Sequence, residues 1–534
     1  MFRRYLLVLC SLCALPVSGD LLAEDRPNVL FIMIDDLNAD ISAVGGPIQT
    51  PNIDALASRG ALFSKMYVQQ PVCSASRASI LTGLRPDTTG VNYPYSSYFV
   101  EELQPKVGII SDFFHEKGYN VKQFGKVHHG IDNKFQLTKP KSGAGGFVSK
   151  DRIKQFKELG KAQVPPYEKV VEGEEAFIDY KIATDAVRDL KSLDGEKPFC
   201  YIVGFQKPHL PFSAPKEFWD MYDRERIAQP VPVGLASGTS HYAVDQYYLK
   251  QYRWETGDPA KSFSPPYASK IRHAYYASAS FVDAQIGRLL DGLEESGLAQ
   301  NTIIALISDH GFLLGEQNYW GKTNLFENGL KVPFIMAWPG EIDEGIRSDA
   351  LVEAVDVFPT LVDLTGFDVP RHLEGTSVGP VLSDPDMDWK RGVFSQQPRG
   401  NVSEVEGISL RTDRYRYTEW VEMPGGTVLE RELYDYEADP SESRNLVNDS
   451  EFAIIAENLA GELRSGWKAM LPEGYGNDSC NPPAPPSYAW GNEGKSRRAA
   501  WHELFGGEES EGWRRATERR SSVEGVQYTI EFEK

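Results

Sequence analysis

Acidic and imidazole side chains come directly after two apolar runs of this chain. Asp35 and Asp36 end one run, and Asp309 and His310 end another. Hard divalent cations prefer carboxylate oxygens, and two adjacent aspartates create a charge problem that a bound cation would relieve. The four side chains therefore predict a metal site, with simple capping of the next turn as the alternative for either pair alone.

A cysteine stands where a helix is predicted to begin. Cys73 precedes the helix-like run Ala78 to Gly83, and Arg77 lies between them. A helix N-terminus presents free N–H donors and a positive dipole, which favour an anion. Arg77 adds a fixed charge that can bind a tetrahedral oxyanion with two donors. Taken alone, a buried structural cysteine is the simpler interpretation.

Further cations, imidazoles and a tryptophan follow other predicted strands. Each of them alone is more often a surface or structural residue. Because ligands of α/β sheets bind beyond the carboxyl ends of the strands, we expect these side chains to converge on one edge. They are Lys126, His128, His129, Lys207, His209, Trp320 and Lys322.

The elements that position these residues alternate between apolar strands and amphipathic helices. Strands are expected at 28–34, 61–68, 120–124, 199–205 and 302–307, and a helical stripe runs through Val282, Ile286, Leu289 and Leu293. This alternation predicts an α/β fold with a large, mixed, mainly parallel sheet between helices. Residues from the 130s to 175 look like an aperiodic excursion over the surface.

The chain has a predicted leader and a predicted C-terminal subdomain. Arg3 and Arg4 precede an apolar run that is too short to cross a bilayer, as in a secretory signal. Hairpin-like strands after about residue 396 and a helix near 451–470 predict a small α+β subdomain with an antiparallel sheet. We expect a signal peptide at 1–23, a catalytic domain at 24–395, the subdomain at 396–474 and a poorly ordered extension at 475–534.

The net charge and the cysteine count of the chain disfavour some classes of function. The 534 residues carry a formal net charge of −20, which disfavours nucleic acid as a partner. Only Cys73, Cys200 and Cys480 would remain after removal of the leader, which is no disulfide framework. No later run is apolar for long enough to span a membrane. The mature protein is expected to be secreted or periplasmic.

Several motifs together resemble those of type I sulfatases in the alkaline-phosphatase superfamily. The run Cys73-Ser-Ala-Ser-Arg77 with Leu-Thr-Gly behind it is similar to the family's C-x-[PA]-S-R…L-T-G motif. Within the family, the chain is most similar to iduronate-2-sulfatases, through His310 among other positions. The motifs that carry the resemblance are Arg26-Pro-Asn-Val, Asp35-Asp36, Thr50-Pro-Asn-Ile-Asp-Ala-Leu, Arg85-Pro-Asp-Thr-Thr89, Gly125-Lys126, Lys207-Pro-His-Leu-Pro-Phe212, Ser308-Asp309-His310-Gly311 and Arg411-Thr-Asp-Arg-Tyr-Arg-Tyr417.

The resemblance implies a nucleophile and a metal. Cys73 would be oxidised to formylglycine by a formylglycine-generating enzyme, and the hydrated aldehyde would attack sulfur. Ca²⁺ would be held by Asp35, Asp36, Asp309 and His310, together with residue 73. Ala75 occupies a position where proline is commoner in the maturation motif.

The resemblance also implies roles for the other residues. His209, with Lys322, would protonate the leaving oxygen, and either His128 or His129 would act as the base that releases sulfate. An alignment without a gap favours His128. Arg77, Lys126 and Lys322 would stabilise charge on the sulfate group, and Lys207 and Trp320 are further candidates for contact with substrate.

The function implied is hydrolysis of a sulfate ester on a saccharide by a monomer or homodimer. One alternative is a phosphonate or phosphate ester hydrolase of the same superfamily. The other alternative is a glycan-binding relative without catalysis.

Overall fold

The computed structural model describes residues 26–89, 91, 108–129, 134–139, 146–232, 234–244, 252–253, 263–399, 405–423 and 426–475. The predicted signal peptide, Cys480 and nearly all of the predicted C-terminal extension lie outside these residues. Within the described ranges, no helix combines the length and the apolar character needed to cross a membrane.

A large mixed sheet forms the centre of the fold. Its eight strands run in the order β12-β2-β11-β8-β1-β6-β3-β4. Strand β11 is antiparallel to both of its neighbours, and the other strand pairs are parallel. The first twelve strands of the chain are β1 (Asn28–Asp35), β2 (Ala61–Tyr67), β3 (Asn120–Gly125), β4 (Gln136–Thr138), β5 (Tyr167–Val170), β6 (Phe199–Pro208), β7 (Phe212–Pro215), β8 (Thr302–Ser308), β9 (Leu313–Leu314), β10 (Trp320–Gly321), β11 (Lys331–Ala337) and β12 (Ile346–Glu353).

Helices cover both faces of this sheet, as the alternation of elements predicts. Strand β1 is buried along its whole length because its alternate side chains enter two different cores. Helices α1, α6 and α8 pack on one face, and α2, α4 and α10 pack on the other. The helices are α1 (Pro51–Ser58), α2 (Cys73–Thr82), α3 (Pro86–Thr89), α4 (Ile110–Glu116), α5 (Lys150–Leu159), α6 (Ile178–Leu190), α7 (Lys216–Asp220), α8 (Pro265–Glu295), α9 (Glu327–Leu330), α10 (Val357–Leu364), α11 (Gly379–Ser383) and α12 (Ala453–Ser465).

The sheet domain contains elements that the sequence analysis does not predict. The excursion before residue 175 is partly regular, since it contains α5 and β5. Strand β11 was not predicted, and it carries Pro333, which cannot donate to a ladder. The pairing of β11 with β2 shifts register between Val332 and Phe334, so the proline lies at this irregularity.

The smaller C-terminal sheet is antiparallel, as expected. Its strands are β13 (Gly392–Arg399), β14 (Val405–Thr412), β15 (Tyr415–Glu422) and β16 (Val428–Asp435), paired in that order. Helix α12 covers one face of this sheet. The expected boundary after residue 395 falls inside β13, because the sheet begins four residues before residue 396, where the subdomain was expected to start.

The register of the central strands brings their carboxyl ends together. Ile34 of β1 pairs with Ser308 of β8, and Asp35 pairs with Pro208 of β6. Gly125 at the end of β3 pairs with Gly204 of β6. The segments that follow these four strands therefore meet at one edge.

Candidate active site

Cys73 is the first residue of α2 and is buried at this edge. The residue before it, Val72, is extended and has no side-chain oxygen with which to cap the helix. Lys322 Nζ lies 2.9 Å from Cys73 Sγ, and His310 Nε2 lies 3.3 Å from it. The helix start and two nitrogen groups thus surround one sulfur atom.

The cations around Cys73 favour its ionised form. Burial raises the pKa of the thiol, but the charges of Lys126, Lys322 and His310 and a hydrogen bond with His129 act in the opposite direction. Their sum holds the pKa of Cys73 well below its usual range. The position of this side chain therefore stabilises negative charge.

The turn after β1 presents two successive carboxylates to the site. Asp36 adopts a left-handed conformation with φ 68°. Its N–H donates to Asp309 Oδ1 at 3.1 Å, and the Tyr275 hydroxyl donates to its carbonyl oxygen at 2.6 Å. These contacts hold a conformation that non-glycine residues seldom adopt. The turn allows Asp35 and Asp36 to serve one site.

Each of the three carboxylates has a cationic partner. Lys126 Nζ lies 2.5 Å from Asp35, and Lys322 Nζ lies 2.6 Å from Asp36. Arg77 Nε lies 2.7 Å from Asp309. Burial and the charge of Cys73 raise the pKa of Asp35, but Lys126, His209 and Arg77 bring it below its ordinary value. Asp35 is therefore ionised at neutral pH.

The same residues fit a hard divalent cation. Ligand atoms of Asp35, Cys73, Asp309 and His310 all lie within 4.8 Å of one another. Ca²⁺ binds its ligands at about 2.3–2.6 Å, so two of its ligands are at most about 5 Å apart. Asp35 Oδ1 and Asp36 Oδ2 are buried without hydrogen-bond partners among the described residues. These oxygens have the chemistry that such a cation requires.

The hydrogen bonding of His310 suits metal ligation as well. Its Nδ1 lies 2.9 Å from the Gly311 carbonyl, which can only accept, so Nδ1 carries a proton and Nε2 is the nitrogen that faces Cys73 and Asp36. Burial lowers the pKa of His310, but Asp309, Asp36 and Cys73 outweigh both burial and Lys322 and raise it to about 9. The carboxylates thus attract a positive charge at this point.

The two histidines after β3 occupy different surroundings. His129 hydrogen-bonds with the Cys73 thiol. His128 lies beside Arg77 and Asp112, where burial and then Arg77 lower its pKa to about 4 against the effect of Asp112. Neighbouring residues of a turn can face opposite directions, so the alignment without a gap does not decide between them. The geometry favours His129 over His128 as the histidine that serves residue 73.

His209 joins the site from the loop after β6. One of its ring nitrogens lies within 4.8 Å of ligand atoms of Asp35, Asp36 and Cys73. Its Nδ1 lies 2.6 Å from the Leu210 carbonyl. His209 therefore reaches the cluster, as the strand-end prediction expects.

Lys207 and Trp320 have other partners than the sequence suggests. Lys207 is buried and donates to the carbonyls of His209 and Pro211. Trp320 is also buried and packs against Phe263, with ring centroids 5.0 Å apart. Both side chains lie within strands, Lys207 in β6 and Trp320 in β10, and both contact protein groups.

Two residues near the site escaped sequence analysis. Burial and the charge of Lys322 lower the pKa of Lys161 to about 8. The Lys161 ammonium lies 4.7 Å from the centre of the Tyr252 ring. Burial and Asp36 raise the pKa of Tyr252, and Lys322 lowers it. Both residues belong to segments without periodic pattern, so no signal in the sequence could have found them.

Comparison with known proteins identifies the family. A family model described as Sulfatase matches residues 27–367. The chain belongs to the sulfatase family. A second model, described as N-sulphoglucosamine sulphohydrolase, C-terminal, matches residues 315–468. The chain is 31% identical to the iduronate 2-sulfatase of Mus musculus, over 82% of this chain and 94% of the relative.

Solved structures support the fold of a sulfatase-family enzyme. The phosphonate monoester hydrolase of Agrobacterium radiobacter has a TM-score of 0.68 at 24% identity, covering 82% of this chain and 95% of its own. A 2-O GAG sulfatase has a TM-score of 0.63 at 25% identity, covering 89% of this chain and 99% of its own. The sheet between helices and the C-terminal antiparallel sheet are thus the alkaline-phosphatase-like architecture expected from the motifs.

Proposed function

We propose that this sulfatase removes sulfate from a sulfated saccharide, with formylglycine at position 73 and Ca²⁺ as cofactor. One observation carries the proposal: Cys73 lies at a helix start, in contact with Lys322, His310 and His129 and beside three carboxylates. In this arrangement the Cys73 sulfur stands in for the reacting oxygen of hydrated formylglycine. A formylglycine-generating enzyme would make the conversion.

Asp35, Asp36, Asp309 and His310 would hold the cation. When bound, Ca²⁺ would act as a Lewis acid and neutralise charge on the sulfate oxygens. The buried oxygens of Asp35 and Asp36 that lack partners among the described residues support this assignment. Arg77, paired with Asp309, would keep one ligand in place.

The remaining residues divide the work of charge stabilisation and proton transfer. Lys126 and Lys322, each on a carboxylate at the site, would stabilise negative charge on the transferring group. His209 would protonate the leaving oxygen of the sugar. His129 would take a proton from the second oxygen of residue 73 and so drive release of sulfate. An oxygen nucleophile that can expel sulfate in this way avoids a stable ester at the enzyme.

The substrate is proposed to be a sulfated carbohydrate of the kind on which iduronate 2-sulfatases act. The 31% identity with the mouse enzyme across most of both chains supports this choice. The predicted leader would direct the enzyme out of the cytoplasm, where it would meet sulfated polysaccharides.

The experiment starts from enzyme produced together with a formylglycine-generating enzyme. Mass spectrometry of the tryptic peptide from Met66 to Arg77 should show the aldehyde. Matured enzyme should hydrolyse 4-nitrophenyl sulfate far faster than the corresponding phosphonate ester and should lose activity in chelator. C73A should be inactive, whereas C200A, which removes the buried thiol of β6, should remain active.

The outcomes distinguish the alternatives. Faster turnover of the phosphonate would support the phosphonate hydrolase, and an intact thiol without any turnover would support a binding protein. A panel of sulfated oligosaccharides then tests specificity. Release of 2-O-sulfate from a terminal uronate is expected, and activity confined to other positions would exclude the iduronate-type assignment.

A further inference from the structure

Lys207 is a lysine whose ammonium group hydrogen-bonds to backbone carbonyls inside the protein. Its side chain is buried, and its Nζ donates to the His209 carbonyl at 3.1 Å and to the Pro211 carbonyl at 2.6 Å. These two carbonyls belong to the short turn between β6 and β7. The ammonium group therefore holds two carbonyls of the turn near each other and supplies hydrogen bonds that these buried carbonyls need.

A buried carboxylate interacts electrostatically with this cation. Asp179, in the first turn of α6, is fully buried and accepts the N–H of Gln206 at 2.6 Å. Burial lowers the pKa of Lys207 to about 8, and Asp179 and Glu168 oppose this effect. Asp179 thus anchors the end of β6 and compensates the charge of the lysine.

His209 lies in the turn whose carbonyls Lys207 contacts. The Nδ1 of His209 lies 2.6 Å from the carbonyl of the next residue, Leu210. A carbonyl acceptor at Nδ1 leaves Nε2 to exchange a proton with substrate. The direction of the ring therefore depends on the position of the Leu210 carbonyl, and Lys207 contacts the carbonyls of the residues on either side of it.

We propose that Lys207, with Asp179, is a positioning residue that aims His209 at the leaving oxygen and does not itself bind substrate. The inference rests on the proposed function, since it takes His209 as the group that protonates the leaving oxygen. A misplacement of about 1 Å in a catalytic group can lower a rate about 10²-fold. Loss of the Lys207 contacts should weaken proton donation by His209 more than it weakens binding of the sulfate group.

The test compares leaving groups. In matured enzyme, kcat/KM is measured for aryl sulfates from 4-nitrophenyl sulfate to 4-methylphenyl sulfate. K207M should lower the value for the poorest leaving group by about 10²-fold or more, because general acid catalysis contributes about 10²–10⁴. The value for 4-nitrophenyl sulfate, whose leaving group needs little protonation, should fall less than tenfold. The dependence on leaving-group pKa should become steeper while KM changes little.

Three further variants complete the design. K207R keeps a cation able to donate to two carbonyls and should restore the shallow dependence of kcat/KM on leaving-group pKa. D179N should steepen it in the same direction as K207M and gives a second route if K207M does not fold. K216M, at the exposed Lys216 paired with Asp220, is the matched control and should behave as wild type.

Two results would overturn the inference. A uniform rise in KM for all esters in K207M would mean that Lys207 binds the sulfate group. An unchanged dependence on leaving group in both K207M and D179N would remove any positioning role. Failure of the proposed function would look different, because wild-type enzyme would then turn over none of the sulfates.

Discussion

Replacing Gly204 by alanine adds one methyl group, which should displace the loop after β3 that contains Lys126 and His129. Gly204 lies in β6, and a Cβ built there would stand 2.0 Å from the Lys126 carbonyl oxygen and 2.9 Å from Val127 N. Real Cβ atoms essentially never approach heavy atoms within 3.0 Å, so the loop must move by about 1 Å. The contact is with backbone, which cannot rotate away as a side chain can.

The displacement would reach the active site through two hydrogen bonds. The Lys126 N–H donates to the Gly204 carbonyl at 2.7 Å, and the Lys126 carbonyl accepts from Arg77. Lys126 and His129 belong to the segment that must move. We expect G204A to lower the free energy of unfolding by about 1–3 kcal/mol, as overpacking does. A shift of about 1 Å should lower kcat/KM by about 10²-fold.

The assay pairs urea unfolding with 4-nitrophenyl sulfate turnover by matured enzyme. The control is G461A, because Gly461 is exposed in α12 and a Cβ there meets no heavy atom within 4 Å. Alanine at this helical position should raise stability by about 0.5–1 kcal/mol and leave kcat/KM unchanged. Wild-type stability and activity in G204A would refute the reasoning.

Four other variants test three separate features. K390M removes a buried ammonium group 2.9 Å from Glu353 and should lower the free energy of unfolding by about 3–5 kcal/mol. Burial would raise the pKa of Glu353, but its cationic partners hold this pKa at about 2. Because K390M removes one of these partners, the variant should also unfold at a higher pH on acidification. Wild-type acid stability would contradict this. Burial raises the pKa of Asp283 from 3.8 to about 6, so the stability it contributes at low pH is lost as pH rises through 6. The unfolding free energy of wild type minus that of D283N should fall by at most about 3 kcal/mol between pH 4 and 6, and a constant difference would be evidence against the assignment. H129N should lower kcat about 10²-fold or more and H128N much less, and the reverse order would return the role to His128.

The central strands could be predicted because they are buried on both faces. The run before Asp35 is continuously apolar, and the structure shows every residue of β1 buried. Strand β11 was missed although it is almost entirely buried, because Pro333 interrupts its strand pattern and lies at a register shift in its pairing with β2. The excursion before residue 175 hid α5, which has no fully buried residue and contacts the core only through the partly buried Ile153 and Phe156. Local pattern thus predicts an element where the buried run is continuous and no residue such as proline interrupts it.

The sequence by itself determined which residues meet at the active edge. Parallel strands end at the same side, so Asp35, Asp309 and the residues after β3 and β6 could be grouped without coordinates. Only the tertiary structure decided what each side chain does there. Lys207 and Lys322 are both strand-end lysines, yet one reaches backbone carbonyls and the other lies 2.9 Å from Cys73 Sγ. The physical reason is that the direction of a side chain depends on the backbone of its turn, and spacing along the chain does not encode that direction.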